Sequence, residues 1–258
     1  MTKMKIGLQL YTLRDETAKD MKGTLRKVAA MGYEGVEFAG YGDVPAEEMR
    51  DLLQELNLVP FGSHVGLANL ENKLEEEIAY LKTIGATYAV CPWISPDNVA
   101  QGESFWRALI DKFAGIGERL KQEGLQFAYH NHDFEFALKI DGEFVFDAMY
   151  TKLPADLLKV EMDIGWVQYS NQDPLAYIAK YAGRLPLLHL KDFRKGEPGK
   201  QIDTVELGRG DLALNDIIAA AAKADVEWIV VEQDTCANPP LESVQTSMDW
   251  LKANGHKA

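Results

Sequence analysis

Side chains that could bind a metal ion recur along the chain, and most of them stand at the end of a short apolar run. Four of the five histidines have this position, namely His64, His130, His132 and His189. The carboxylates placed in or just after such runs are Glu37, Glu135, Glu161, Asp163, Asp192, Glu232 and Asp234. Imidazole and carboxylate groups suit Mn²⁺, Mg²⁺, Co²⁺ or Zn²⁺. If the fold brings these ends together, the pattern predicts a site for one divalent ion.

Each of these residues also has an ordinary structural explanation when it is taken alone. A single histidine at a strand end is more often a hydrogen-bonding group than a metal ligand. The fifth histidine, His256, lies in the C-terminal tail. The metal prediction therefore depends on the coincidence of several strand ends.

Eight apolar runs have the length and composition of buried strands. They are Ile6 to Leu10, Gly35 to Phe38, Val59 to Ser63, Tyr88 to Cys91, Leu125 to His130, Leu158 to Met162, Leu185 to Leu190 and Trp228 to Val231. Segments with helical periodicity lie between them: Met21 to Met31, Ala46 to Leu56, Leu74 to Ile84, Phe105 to Gln122, Leu175 to Tyr181 and Asp216 to Ala224. A final helix is predicted over Pro240 to Ala253. This alternation is typical of βα units around a parallel sheet.

Eight such units predict a closed (β/α)₈ TIM barrel that forms a single domain over residues 1–258. The chain length agrees, because such a barrel needs about 250 residues. In a barrel the carboxyl ends of all strands meet at one mouth, so the metal-binding candidates would converge there. The long segment Lys191 to Asp211 is predicted to be an irregular loop at the same face. Its glycine-rich part, Leu207 to Asp211, is either a phosphate cradle or a simple turn.

Composition limits the partners that we expect. The net charge of -13 disfavours nucleic acid, whose binding usually relies on Lys and Arg. Cys91 and Cys236 are too few for a disulfide framework or a thiolate zinc site. No apolar run reaches the roughly 20 residues that span a bilayer, and the start lacks a signal segment, so we expect a cytoplasmic protein without a membrane partner. A homo-oligomer is left open.

Seven stretches in order form a recognisable pattern: GLQLYTLRD, GYEGVEFAGY, FAYHNHDFEF, MDIGWVQYSNQDP, LLHLKD, ELGRGDL and VVEQD. The chain resembles the sugar phosphate isomerase/epimerase family, whose members have a xylose isomerase-like barrel. The resemblance covers essentially the whole chain. The superfamily also includes inosose dehydratases and a branch of apurinic-site endonucleases.

The resemblance implies a divalent metal, often Mn²⁺, with four protein ligands. Asp163, His189 and Glu232 match three of them directly. At the fourth position, on the fifth strand, this chain has His130 in place of the family's Glu, and the nearest carboxylate is Glu135. We place Glu135 ahead of His130 as the fourth ligand, because carboxylate is the harder donor. Trp166 is a second departure, since many relatives have a substrate-binding His there.

The resulting prediction is a divalent-metal-dependent isomerase or epimerase of a small-molecule sugar or keto-sugar. It would abstract a proton next to a carbonyl and form an enediolate. Glu232 is the expected acid/base group, with His130 or Glu135 opposite it. Lys191 would either hold a substrate oxygen or merely pair with Asp192 or another carboxylate. The expected substrate-binding residues are His132, Trp166, Glu37 and His64.

Three alternatives differ from this prediction. A lyase of the inosose dehydratase type would use the same proton abstraction for β-elimination, and the His-x-His of the fifth strand is closer to that branch. A repair endonuclease should show a basic surface and further His ligands. A non-catalytic sugar-binding barrel would have lost the metal ligands, whereas Asp163, His189 and Glu232 are present. The sugar, its phosphorylation and the metal stay open.

Overall fold

Eight parallel strands close into a barrel in the computed structural model, which describes residues 4–194 and 203–257. Each strand pairs with its neighbours in the sequence, and the first pairs with the last. The strands are β1 (Lys5–Gln9), β2 (Gly35–Phe38), β3 (Val59–His64), β4 (Tyr88–Cys91), β5 (Gln126–His130), β6 (Lys159–Asp163), β7 (Leu187–Leu190) and β8 (Trp228–Val231). The predicted single-domain TIM barrel is confirmed, with strand ends that differ from the expected ones by two residues at most.

Helices pack around this barrel. In the described residues they are α1 (Arg14–Met31), α2 (Ala46–Leu56), α3 (Leu67–Asn72), α4 (Leu74–Ile84), α5 (Pro96–Val99), α6 (Glu103–Gln122), α7 (Val145–Lys152), α8 (Ile164–Tyr169), α9 (Pro174–Lys180), α10 (Leu214–Lys223) and α11 (Pro240–Ala253). Two short 3₁₀ helices cover Leu10–Leu13 and Phe134–Phe136. The predicted helix Met21 to Met31 is the part of α1 that follows a bend at Asp20.

The strands alternate inward and outward side chains, and this alternation creates layers inside the barrel. At the amino ends the interior is apolar, with Phe61 stacked on Trp228 at a ring distance of 4.3 Å. Gly7 leaves the space for this pair, because a Cβ atom there would lie 2.4 Å from the Phe61 ring. The aromatic pair therefore closes the bottom of the barrel, and the polar layers lie above it.

Strand register brings specific polar residues side by side above this floor. Gln9 pairs with Glu37, His130 with Glu161, and Asp163 with His189. Gln9, His130 and Asp163 are the last residues of their strands, and Glu37 and His189 are next to last. Glu161 lies one inward position below Asp163. The barrel thus carries two stacked polar layers at its mouth.

The predicted loop from Lys191 to Asp211 is partly regular, which corrects the expectation of an irregular segment. Asp192–Arg194 and Asp203–Val205 pair as an antiparallel hairpin, and residues 195–202 lie outside the described residues. A second hairpin joins Lys139–Ile140 to Glu143–Phe144. Within the described chain, none of the helices has the length and apolar character needed to cross a membrane.

Candidate metal site at the barrel mouth

The deeper polar layer holds two buried carboxylates among three histidines. Glu161 Oε2 lies 2.7 Å from His64 Nε2, 3.0 Å from His130 Nδ1 and 3.3 Å from His189 Nε2. Glu37 Oε2 lies 2.8 Å from His189 Nε2 and accepts a hydrogen bond of 2.9 Å from Gln9 Nε2. Glu37 and Glu161 are fully buried, so each needs these hydrogen-bonding partners to stabilise its ionised form.

The upper layer brings together one nitrogen or oxygen from each of four residues. His130, Asp163, His189 and Glu232 offer ligand atoms that all lie within 4.8 Å of one another. His130 Nε2 is 3.8 Å from Asp163 Oδ2, and His189 Nδ1 is 2.9 Å from Glu232 Oε2. Three of these residues are the ligands predicted from the resemblance, and the fourth is His130. We call this group the mouth cluster.

Each histidine of the mouth cluster uses its second nitrogen in the deeper layer. His130 turns Nδ1 to Glu161, and His189 turns Nε2 to Glu37. Metal-binding histidines are commonly held in this way, because a carboxylate that accepts the other N–H fixes the tautomer and the ring orientation. The deeper carboxylates therefore leave His130 Nε2 and His189 Nδ1 available to a metal ion.

The residues present fit a divalent ion at the mouth cluster. Two imidazole nitrogens and two carboxylate oxygens are ligands that divalent metal ions commonly bind in proteins. Asp163 Oδ2 is buried and faces this cluster, with the Lys191 ammonium 2.9 Å away as its counter-charge. Its other oxygen is occupied, because Asp163 Oδ1 caps α8 by accepting the amides of Gly165 and Trp166. A second group, His64, His130, Glu161 and His189, overlaps the mouth cluster, but in it Glu161 Oε2 already contacts all three rings.

Lys191 places a buried ammonium beside the mouth cluster. Its Nζ lies 2.6 Å from Asp234 Oδ2, 2.9 Å from Asp163 Oδ2 and 3.2 Å from Glu232 Oε2. The same nitrogen is 5.5 Å from the centre of the Trp166 ring. The predicted pairing of Lys191 with Asp192 or another carboxylate occurs with other carboxylates. They belong to β6 and to the residues that follow β8.

Burial and neighbouring charges shift the pKa values of the site residues in different directions. Burial alone would raise the pKa of Glu232, but Lys191 and His189 outweigh burial and lower that pKa well below its usual value. Glu37 shows the opposite balance, because burial and the charge of Glu161 raise its pKa to about 7. Burial and the neighbouring His130 lower the pKa of His132 well below that of free imidazole. At neutral pH, Glu232 is therefore ionised and His132 neutral.

His132 and Trp166 form the aromatic side of the mouth. The His132 ring stacks on Phe134 at 5.6 Å and lies 5.4 Å from Trp166. His132 Nδ1 and Trp166 Nε1 are both buried without a hydrogen-bond partner. A cleft of about 590 Å³ opens beside them, lined by Tyr11, Arg14, Ala39, His64, Pro92, Trp93, His130, His132, Glu232, Asp234 and Thr235. Its size suits a small-molecule ligand.

Glu135 is the predicted ligand that the structure does not bring into the mouth cluster. Its Oε1 accepts a hydrogen bond of 2.5 Å from the Tyr129 hydroxyl, and its Oε2 accepts one of 2.9 Å from the amide of His132. Burial raises the pKa of Glu135 to about 8. The other predicted site residues, Glu37, His64, His130, His132, Asp163, Trp166, His189, Lys191 and Glu232, all lie at the barrel mouth.

The glycine-rich turn after β7 is not open to a phosphate. The amides of Gly208 and Gly210 both donate to Asp192 Oδ2, at 3.0 Å and 2.9 Å. A Cβ atom on Gly210 would lie 2.1 Å from Asp192 Oδ1, so the turn needs glycine there. Of the two interpretations of this segment, the structure supports the turn.

Two carboxylates that the sequence places at strand ends were predicted without an individual role. Glu161 orients His130 and His64, and Asp234 pairs with Lys191. Strand periodicity could have assigned Glu161 to the site, because residues two apart on a strand face the same side and Asp163 was already placed there. Nothing local in the sequence distinguishes Asp234 from other carboxylates after a strand.

Comparison with known proteins identifies the family. Residues 25–254 match the family described as xylose isomerase-like TIM barrel. The chain belongs to this family. It is 25% identical over 156 residues to inosose dehydratase 2 of Bacillus cereus, and the match covers 54% of this chain and 51% of that protein. The chain thus spans about half the length of the curated relatives that it matches.

Two solved structures superpose over nearly the whole chain. A sugar phosphate isomerase/epimerase from Parabacteroides distasonis gives a TM-score of 0.82 at 23% identity, covering 98% of this chain and 100% of that one. The IOLI protein, whose structure holds a zinc atom, gives a TM-score of 0.74 at 13% identity, covering 96% of this chain and 97% of that one. At these identities the likeness shows the shared fold.

Proposed function

We propose that this protein is a divalent-metal-dependent isomerase or epimerase that removes a proton next to the carbonyl of a sugar or keto-sugar. The arrangement of His130 and His189 supports this most strongly. Each ring gives one nitrogen to a buried carboxylate and turns the other toward Asp163 or Glu232. The relatives named isomerase/epimerase and inosose dehydratase indicate the same class of small, hydroxylated substrate.

The metal would be held by His130, Asp163, His189 and Glu232. We favour Mn²⁺, with Mg²⁺, Co²⁺ and Zn²⁺ as alternatives, because two carboxylates and two imidazoles form a borderline donor set. When bound, such an ion polarises a substrate carbonyl and stabilises the enediolate that follows proton removal. Glu37 and Glu161 act from below by keeping the two rings in position.

Glu232 is the proposed base. Its lowered pKa keeps it ionised at neutral pH, and its side chain lines the cleft. Lys191 and His132 are the groups that would hold substrate oxygens, and Trp166 would offer its ring and its unpaired Nε1. His64 also lines the cleft, whereas Glu37 contacts His189 and Gln9 and so acts through the ring that it orients.

The number of free bases bears on the fate of the enediolate. His130 has both nitrogens engaged in the two layers, and Asp234 is paired with Lys191. Glu232 contacts His189 and Lys191 through its Oε2, so we assign the proton transfer to its other carboxylate oxygen. One such base can return the proton to the neighbouring carbon on the same face. That route gives isomerisation. Inversion of a centre requires a second group on the opposite face, and we assign this role to His132, which lines the same cleft as Glu232.

β-Elimination of the inosose dehydratase type is the second candidate. The observation that favours it is the histidine at the end of β5, where the resemblance led us to expect a glutamate. Loss of a leaving group needs one base and one proton donor, and it does not need the paired carboxylates of a two-base epimerase. The first proton abstraction is the same in both candidates.

The test is proton exchange in deuterated water with ketohexoses, their phosphates and a keto-inositol as substrates. An isomerase or epimerase incorporates deuterium into an isomeric sugar, whereas a lyase releases water and forms an unsaturated product, and NMR distinguishes the two. With Mn²⁺ saturating, Glu232→Gln should lose exchange because the amide cannot accept a proton. Glu206→Gln is the matched control, since Glu206 and Glu232 are equally buried, each 5% exposed, and Glu206 lies outside the site. Unchanged exchange in Glu232→Gln, or in chelator-treated enzyme, would contradict the proposal.

A further inference from the structure

Lys191 is almost completely buried and competes for atoms that would bind the metal. Its ammonium contacts Asp163 Oδ2 and Glu232 Oε2, which belong to the mouth cluster. A buried ammonium must keep a counter-charge, because an isolated charge in the interior is strongly unfavourable. The Lys191 ammonium and a metal ion would therefore compete for the carboxylates of Asp163 and Glu232.

Asp234 supplies a third carboxylate that is not in the mouth cluster. It makes the shortest of the three contacts, 2.6 Å from its Oδ2 to Lys191 Nζ. Its backbone carbonyl accepts a hydrogen bond of 3.0 Å from the Arg14 guanidinium, which helps to hold the segment after β8. Asp234 is therefore placed to neutralise Lys191 without the metal ligands.

Asp234 changes the charge balance around Lys191. Asp163, Glu232 and Asp234 carry carboxylates, and Lys191 carries the ammonium that all three contact. With Asp234 present, these four residues have a net charge of two negative units. Without Asp234, a single negative charge would remain, and both remaining carboxylates would have to neutralise the ammonium.

We propose that Asp234 is a positioning residue that holds the Lys191 ammonium away from Asp163 and Glu232 and so sets the metal affinity of the site. This inference rests on the proposed function, because it requires metal binding at the mouth cluster. Asp234 acts through Lys191, whose ammonium it contacts at 2.6 Å. Removal of Asp234 releases the ammonium onto two metal ligands, and removal of the Lys191 charge frees those ligands.

The test is a double-mutant cycle read by calorimetric titration of the metal-free protein with MnCl₂. Asp234→Asn should weaken Mn²⁺ binding by about 10–100-fold, the range typical of residues that support metal ligands. Lys191→Met should tighten binding by about tenfold. In the Lys191→Met background, Asp234→Asn should weaken binding by no more than about threefold, because only its direct attraction for the ion is left.

The chain offers a matched control at the opposite end of the barrel. Lys121 Nζ lies 2.6 Å from Asp156 Oδ2, the same separation as in the pair tested. Lys121→Met changes the net charge of the protein as Lys191→Met does, and Asp156→Asn changes it as Asp234→Asn does. If only local contacts matter, the Mn²⁺ affinity of both control variants should stay within about twofold of the wild type. Thermal unfolding followed by circular dichroism verifies that each variant is folded.

Three results would overturn the inference. Asp234→Asn could weaken binding equally in both backgrounds, which would mean that Asp234 acts directly on the ion. Lys191→Met could bind Mn²⁺ no more tightly than the wild type, and this result does not depend on the folding of Asp234→Asn. Failure of the wild type to bind any of the four candidate metals would remove the proposed function itself, and this outcome is distinct from the other two.

Discussion

Glu135→Gln should make the stability of the protein less sensitive to pH. Glu135 is fully buried, and burial raises its pKa from 4.5 to about 8. Between these values the folded protein keeps a proton on Glu135 that the unfolded chain has released. The wild type therefore loses stability as pH rises through this range. Glutamine has nearly the shape of the protonated carboxyl and does not titrate. In both, one oxygen can accept the His132 amide and the other group can donate to the Tyr129 hydroxyl oxygen, which then no longer donates to residue 135.

The size of the effect follows from the two pKa values. For each pH unit between 4.5 and about 8, the free energy of unfolding of the wild type falls by about 1.4 kcal/mol relative to that of the variant. From pH 5 to pH 7 the difference in the free energy of unfolding should therefore change by roughly 2–3 kcal/mol. Below pH 4.5 the difference between the two proteins should stop changing with pH, because Glu135 is protonated in both the folded and unfolded states.

Urea unfolding of metal-free protein at half-unit intervals from pH 4.5 to 8.5 measures this difference. Glu123→Gln is the control: Lys82 and Arg119 lower the pKa of Glu123 to about 2, so its comparison with the wild type should be flat above pH 5.5. A flat or rising stability of the wild type relative to Glu135→Gln between pH 5 and 8 would refute the assignment of Glu135 as a neutral buried acid.

Two further predictions concern the fourth ligand and the turn after β7. His130→Asn should lower Mn²⁺ affinity by at least about tenfold, whereas Glu135→Gln should change it by less than about threefold; a titration that gave the reverse order would return Glu135 to the ligand set. Gly210→Ala should destabilise the protein by about 2–4 kcal/mol, because the new Cβ would displace Asp192 from the amides that it accepts. Gly115→Ala in α6, where a Cβ atom meets nothing within 4 Å, should be neutral or stabilising in the same urea measurement, and an equal loss in both would contradict the steric explanation.

Much of the fold could be predicted because its determinants are local. Each barrel strand is buried on both faces, and this appears in the sequence as a short apolar run such as Tyr88–Cys91. The count of eight runs led to the closed barrel, and the barrel placed every strand end at one mouth. For this reason Asp163, His189 and Glu232 could be assigned to one site from residues that are far apart in the sequence.

The choice between His130 and Glu135 depended on which way each side chain points after β5. His130 faces the barrel interior, and its neighbour Tyr129 faces outward because successive strand residues alternate. The chain then turns through the 3₁₀ helix Phe134–Phe136 and brings Glu135 back to the Tyr129 hydroxyl. The sequence shows that a carboxylate is near, but not that the turn directs it away from the mouth.

The sequence by itself determined which groups stand at the strand ends, because hydrophobic periodicity defines where each strand stops. Only the tertiary structure decided how those groups share their charges. The carboxylates that surround Lys191 come from β6 and from the residues just after β8, and the partners of His189 come from β2, β6 and the residue after β8. Such pairings depend on distances of a few ångströms across the barrel. Strand register and side-chain direction in three dimensions set these distances, and no local pattern along the chain encodes them.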